Sequence, residues 1–163
     1  MDEETVALEL PEPHFTLFNC MREGLVEVIL VNDRLVAFAH NRIFPWHLRI
    51  NIDFVELAED QMPTPAESDV LFEMGDEIEA ALETCQTTRG SRNCLFLASS
   101  TWNQHRELYF QVHDPEIVNA LLQRLMKAKV WNRLWDYEMS HDPEWEKVGY
   151  IFQLFPERPG CDA

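Results

Sequence analysis

Between Asn93 and Trp145 the spacing of apolar residues changes several times, and each change marks a different element. Cys94 to Ala98 is an unbroken apolar run, as in a strand buried on both faces. Ser99 to Arg106 is polar and reads as a connecting loop. From Glu107 to His113 the pattern has period two: Leu108, Phe110 and Val112 face one way, and Tyr109, Gln111 and His113 the other. That predicts a half-buried strand. Asp114-Pro115-Glu116 then has the form of a helix start, with an N-cap aspartate and proline at the first helical position. Ile117, Val118, Leu121, Leu122, Leu125 and Met126 follow on one helical face, with Lys127 and Lys129 near the C-terminal end. Arg133 to Met139 alternates again, and Asp142-Pro143-Glu144 opens a short helix or turn.

The same reading extends upstream. Leu25–Val31 and Leu35–Ala39 are apolar runs joined by Asn32-Asp33-Arg34, which predicts a β-hairpin over 24–40. His47 to Phe54 alternates without a break: Leu48, Ile50, Ile52 and Phe54 against His47, Arg49, Asn51 and Asp53. Thr64-Pro65-Ala66-Glu67 carries a capping box with proline at the first position, and the helix it opens should reach about Thr84. Val70, Leu71, Met74, Ile78, Ala81 and Leu82 form its buried stripe, and Gly75 within it is expected to mark close packing. Residues 1–13 are expected to form a loose acidic arm and 156–163 a frayed tail.

From His47 onward the order is strand, helix, strand, strand, helix, strand. This predicts one α+β domain over 1–163, with a ferredoxin-like βαββαβ core at 47–155 and both helices on one face of an antiparallel sheet. The N-terminal hairpin would extend that sheet or cover its other face.

Charge changes the picture more than length does. A chain of 163 residues buries roughly 70% of its unfolded surface, enough for one core. Its net charge is −16, and between Arg49 and Arg89 there are eleven Asp or Glu and no Lys or Arg. Such a surface repels phosphate backbones and attracts a basic protein partner. The competing reading is that the acidity serves solubility alone. If the partner reading holds, Glu73, Asp76, Glu77 and Glu83 on the acidic helix are contact residues. A second candidate surface is the polar and aromatic side of the strands, with Arg49, Asn51, Asp53, Tyr109, Gln111 and His113. Packing of the hairpin over that side is the alternative.

Candidate chemistry is sparse. Cys20, Cys85, Cys94 and Cys161 have no metal-binding spacing, and Cys94 reads as an inert core thiol. No segment has the form of a secretory signal or the length of a membrane span, so a cytoplasmic protein is expected. The five glycines form no phosphate or dinucleotide loop, and neither HExxH nor GxSxG occurs. No cofactor or metal is assigned. His-Asp-Pro-Glu occurs at 113–116 and again at 141–144. His113, Asp114, His141 and Asp142 would converge in a metal-dependent or hydrolytic enzyme, or the two aspartates simply cap helices. Ser99, Ser100, Thr101 and His105 suggest a nucleophile, but they lie in the expected loop. The strand at Glu107 lacks the basic residue and glycine of an RNA-recognition sheet. The favoured function is a non-enzymatic protein-binding or regulatory module, with a hydrolase or metal-dependent enzyme as the alternative and a homodimer as a third possibility.

Three features carry a family resemblance: Thr101–Val112 (Thr-Trp-Asn-Gln-His-Arg-Glu-Leu-Tyr-Phe-Gln-Val), the Asp142-Pro143-Glu144-Trp145 ending, and the proline-bearing start of the acidic helix. In these the C-terminal two thirds resembles a bacterial family of unknown function, the domain family numbered 695. The family's turn glycine is replaced here by Asn103 and Gln104. At the level of fold and the Asp-Pro-Glu-Trp ending, the chain is also similar to the ribonuclease E inhibitor B family. That likeness implies binding to a protein rather than to RNA.

Overall fold

A computed structural model describes residues 10–155. Most of the arm at 1–13 and all of the tail at 156–163 lie outside the described residues. Six strands make one antiparallel sheet: β1 (Phe15–Arg22), β2 (Leu25–Asn32), β3 (Trp46–Asp53), β4 (Cys94–Trp102), β5 (His105–Val112) and β6 (Trp135–His141). Their spatial order is β1-β2-β4-β5-β3-β6. Helices α1 (Pro65–Glu83) and α2 (Pro115–Ala128) pack on one face, and a four-residue helix, α3 (Gly149–Phe152), lies near the C-terminus. The protein is therefore α+β, as expected. Its six-strand order departs from a four-stranded ferredoxin-like layer, because the N-terminal hairpin adds two strands beyond β4.

The helices are where capping chemistry puts them. Thr64 Oγ1 accepts from the Glu67 amide at the start of α1, and Asp114 Oδ1 accepts from the Glu116 and Ile117 amides at the start of α2. Leu71, Met74, Ile78 and Leu82 from α1 and Val118 and Leu122 from α2 meet Leu48, Ile50 and Ile52 of β3 and Leu108, Phe110 and Val112 of β5 in the larger core. The alternating side chains of β3 and β5 thus face the way their period predicts.

Four local expectations are corrected. The hairpin is not at 24–40 but pairs Phe15–Arg22 with Leu25–Asn32. Its turn is Glu23-Gly24, where both residues have positive φ (52° and 82°), matching the right-handed twist of the two strands. Asp33–Leu35 instead forms a 3-10 turn that sinks Leu35 and Val36 into the interior. Ser99 to Arg106 is not a loop. Strand β4 runs to Trp102 and reverses through Asn103-Gln104, again with both φ positive (46° and 73°), so Ser99, Ser100 and Thr101 are buried strand residues. Gly75 does not mark a tight approach, since an added Cβ would sit 3.9 Å from its nearest neighbours, an ordinary contact. Finally, Glu67 does not turn back to close a capping box; its carboxylate accepts from the Val55 amide (2.8 Å) and from Arg133.

The sheet's other face holds a second core. Ile29 and Val31 of β2, Leu95 and Leu97 of β4 and Tyr109 of β5 are covered by Leu35 and Phe44 and by Trp145, Val148 and Ile151. The hairpin therefore extends the sheet, and the cover over the opposite face comes from 33–45 and 142–155.

Candidate functional site

The two helices cover the strands that follow Trp46 and, among the described residues, leave the hairpin bare on the same side. A trench of about 290 Å³ results between α1 and β1–β2. Leu17 from β1, Val28 and Leu30 from β2 and Phe72 from α1 make its apolar walls, and Arg106 from β5 lies at its floor. Leu17 is 59% exposed and Phe72 52%, high values for residues beside a core. Their exposure follows from the order of elements: among the described residues β1 and β2 precede both long helices, and neither helix crosses back over them.

Arg106 is held but incompletely satisfied. Its Nη1 donates to Thr101 Oγ1 at 2.9 Å, and its guanidinium carbon stands 5.0 Å from the Phe72 ring centroid. Its Nε is buried without a hydrogen-bond partner. Burial pulls its pKa below the ordinary value, while the fields of Asp76 and Glu79 oppose that shift. Above it, helical spacing places Ser68, Phe72, Asp76, Glu79 and Glu83 along one side of α1. Glu79 is pushed above the usual carboxylate value by burial and by repulsion from Glu83 and Asp76. Arg106 and Arg92 offset part of this charge, while Asp76 and Glu83 stay exposed.

The expected helix contacts Glu73, Asp76, Glu77 and Glu83 are all exposed. Glu77 is paired with Lys129 at 2.7 Å. The expected sheet surface divides. Arg49 is half-exposed and bridges Glu107 (3.3 Å) and Glu138 (3.2 Å). Asn51 bonds Asp53 at its edge. Tyr109 and Gln111 are buried: Tyr109 donates to Glu107 and lies against Tyr150 (3.2 Å), while Gln111 bonds the Phe44 carbonyl and His47. His113 bonds the Ile43 carbonyl at 2.7 Å. Of that platform, Arg49 and Tyr109 line a polar cleft of about 570 Å³ that also includes His47, Glu107, Glu138 and Tyr150. Burial lowers the His47 pKa and keeps the ring neutral, with Nδ1 at 2.8 Å from Gln111 Oε1. Because the Gln111 amide nitrogen already donates to Phe44, its Oε1 is the acceptor and His47 Nδ1 the donor.

The two His-Asp-Pro-Glu segments do not form a joint centre. Asp114 caps α2, and Asp142 accepts from the Glu146 and Lys147 amides (2.9 and 3.0 Å). His141 packs against Trp46 at a tilt of 60°, with ring centroids 5.0 Å apart. Among the described residues, no group of three His, Cys, Asp or Glu is placed to hold a metal ion. Ser100 Oγ donates to Glu27 at 2.5 Å, and His105 bonds Asp53 at 3.1 Å. They lie on different strands and form no nucleophile–base pair. No helix among the described residues is long and apolar enough to cross a membrane. The trench and Arg106 were not expected from the sequence. The available signal was the bare alternation of Val26, Val28 and Leu30 against Glu27, Ile29 and Val31, which shows two apolar faces with only one helix set to cover them.

No curated protein and no solved structure matches this chain. The model of a family of unknown function (DUF695) matches residues 15–151, and the chain belongs to that family.

Proposed function

We propose that this DUF695 chain is a non-enzymatic protein-binding module whose trench takes an amphipathic helix from a basic partner protein. One observation carries the reading: the apolar walls formed by Leu17, Val28, Leu30 and Phe72 run directly beside the acidic side of α1. A helix seated there would become the third helix on this side of the sheet. Its apolar face would cover the hairpin and its Lys or Arg would face Asp76, Glu79 and Glu83. The chain's own N-terminal residues suit this role poorly, because 1–13 contain Asp2, Glu3, Glu4, Glu9 and Glu12 and no Lys or Arg.

The supporting frame is read as a ferredoxin-like unit, β3 to β6 with α1 and α2, widened by a hairpin. What supports this is the order β6-β3-β5-β4 on one side of the six-strand sheet.

The probe is a fluorescent synthetic helix of leucines and lysines, with a leucine–glutamate helix as control. The expected result is saturable binding of the lysine helix only, weakened at least tenfold by Leu17→Asp and by the combined Asp76, Glu79 and Glu83→Gln variant. Binding that ignores Leu17→Asp would reduce the contact to bulk charge and overturn the docking site, and no binding would overturn the module itself. Light scattering at twice the 19.2 kDa chain mass, abolished by Leu17→Asp, would assign the trench to a second copy instead.

A further inference from the structure

After α1 ends, the chain makes a short loop and returns to its starting point. Gln86 and Arg92 form an isolated antiparallel bridge, Thr87 N donates to Ser91 O (2.9 Å), and Gly90 takes the left-handed turn position at φ 83°. Asn93 N then donates to the Cys85 carbonyl at 3.3 Å. The loop is thereby clamped, and Cys94, the first residue of β4, is set beside Cys85. Both thiols are nearly sealed, at 7% and 2% exposure, and both are free.

Asn93 fixes the arrangement. Its Nδ2 contacts Cys85 Sγ at 3.6 Å and the Asp114 carbonyl at 3.2 Å, and its Oδ1 accepts from the Asp114 amide at 2.8 Å. Cys94, bonded to Asn93, lies near enough to Cys85 to be the largest influence on its acidity. A strand cysteine that reads as inert in sequence is therefore one member of a pair.

We propose that Cys85 and Cys94 form an oxidisable dithiol, which hydrogen peroxide converts to an intrachain disulfide that locks the end of α1 to the start of β4.

The two sulfurs have different roles. The neighbouring Cys94 is the largest influence on Cys85 and, with the Asn93 amide, brings its pKa down to about 6, so the thiolate is abundant at neutral pH. Cys94, beside that sulfur and buried, is pushed up and keeps its proton. The Cys85 thiolate attacks one oxygen of the peroxide: an S–O bond forms, the O–O bond breaks, and the departing hydroxide takes a proton to become water. The Cys94 sulfur then attacks the sulfenic sulfur. The S–S bond forms, the S–O bond breaks, and hydroxide leaves with the Cys94 proton as a second water. Two thiols are oxidised by two electrons, and one peroxide is reduced to two waters.

The test treats the whole wild-type protein with hydrogen peroxide, blocks remaining thiols under denaturing conditions and maps peptides without reduction. Trypsin cuts at Arg89 and Arg92 and so separates the two cysteines. The expected result is a mass loss of about 2 Da before blocking and a linked pair of peptides carrying Cys85 and Cys94. In Cys94→Ser, Cys85 should stop at the sulfenic acid and be trapped by dimedone; in Cys85→Ser, Cys94 should stay reduced. An unchanged mass, a Cys85 sulfinic acid without a link, or links through Cys20 or Cys161 would each overturn the proposal.

Discussion

Glu67 and Glu79 sit on the same helix, and their surroundings drive them in opposite directions. Glu67 has a fully buried side chain clasped by Arg133 and by the Val55 amide, and the Arg133 hydrogen bonds hold its pKa below the ordinary 4.5. A depressed carboxylate contributes stability above its unfolded pKa and loses it as pH falls through the folded one. Glu67→Gln should therefore cost about 3 kcal/mol in urea unfolding at pH 7, with the gap to wild type closing as pH drops below 4.5. Glu79 is raised, chiefly by burial and then by Glu83 and Asp76. Its charged form is a burden on the fold, so Glu79→Gln should raise Tm at pH 7, and the benefit should vanish below pH 4.5, where both states are protonated. The Asn103-Gln104 turn gives a third test at this scale. Gln104 has φ 73°, where a side chain is strained, so Gln104→Gly should stabilise by about 0.5 kcal/mol, read as a Tm rise of a degree or two.

At the scale of elements, the two Asp-Pro-Glu segments are best tested as caps. Asp114→Ala removes the acceptor for two α2 amides and should cost about 1 kcal/mol in denaturant unfolding. Asp142→Ala should cost at least as much, because Asp142 is buried at 6% exposure and serves the Glu146 and Lys147 amides. Elements that carry their own period were legible: β3, β5, α1 and α2 lie within two residues of where alternation and capping put them. Strand β1 was not, because Phe15, Leu17 and Met21 are apolar on its exposed side and blur the alternation with Phe18 and Cys20. The hairpin turn was misplaced because Asn32-Asp33-Arg34 has turn residues, but only Glu23-Gly24 supplies the left-handed pair that a two-residue reversal needs. The acidic side of α1 was legible as composition along one helix. The trench was not, because it depends on which strands the helices fail to reach, and no local pattern records that.

For the molecule as a whole, the −16 charge is a self-repulsion that salt screens, so Tm should rise from low to physiological ionic strength. The same charge bears on the two strands that, among the described residues, edge the sheet. Strand β6 carries Asp136 and Glu138, whereas β1 has no charged residue and no proline from Phe15 to Met21. Near the isoelectric point, about pH 4.6, the mutual repulsion between molecules disappears and β1 is left as a bare template. Turbidity with growing thioflavin fluorescence is expected there, and Leu17→Lys should suppress it. What guards the outermost strand, then, is not a bulge or a gatekeeper residue of its own but the electrostatic atmosphere of the rest of the chain, so the protein's colloidal fate at acid pH rests on a handful of uncharged side chains.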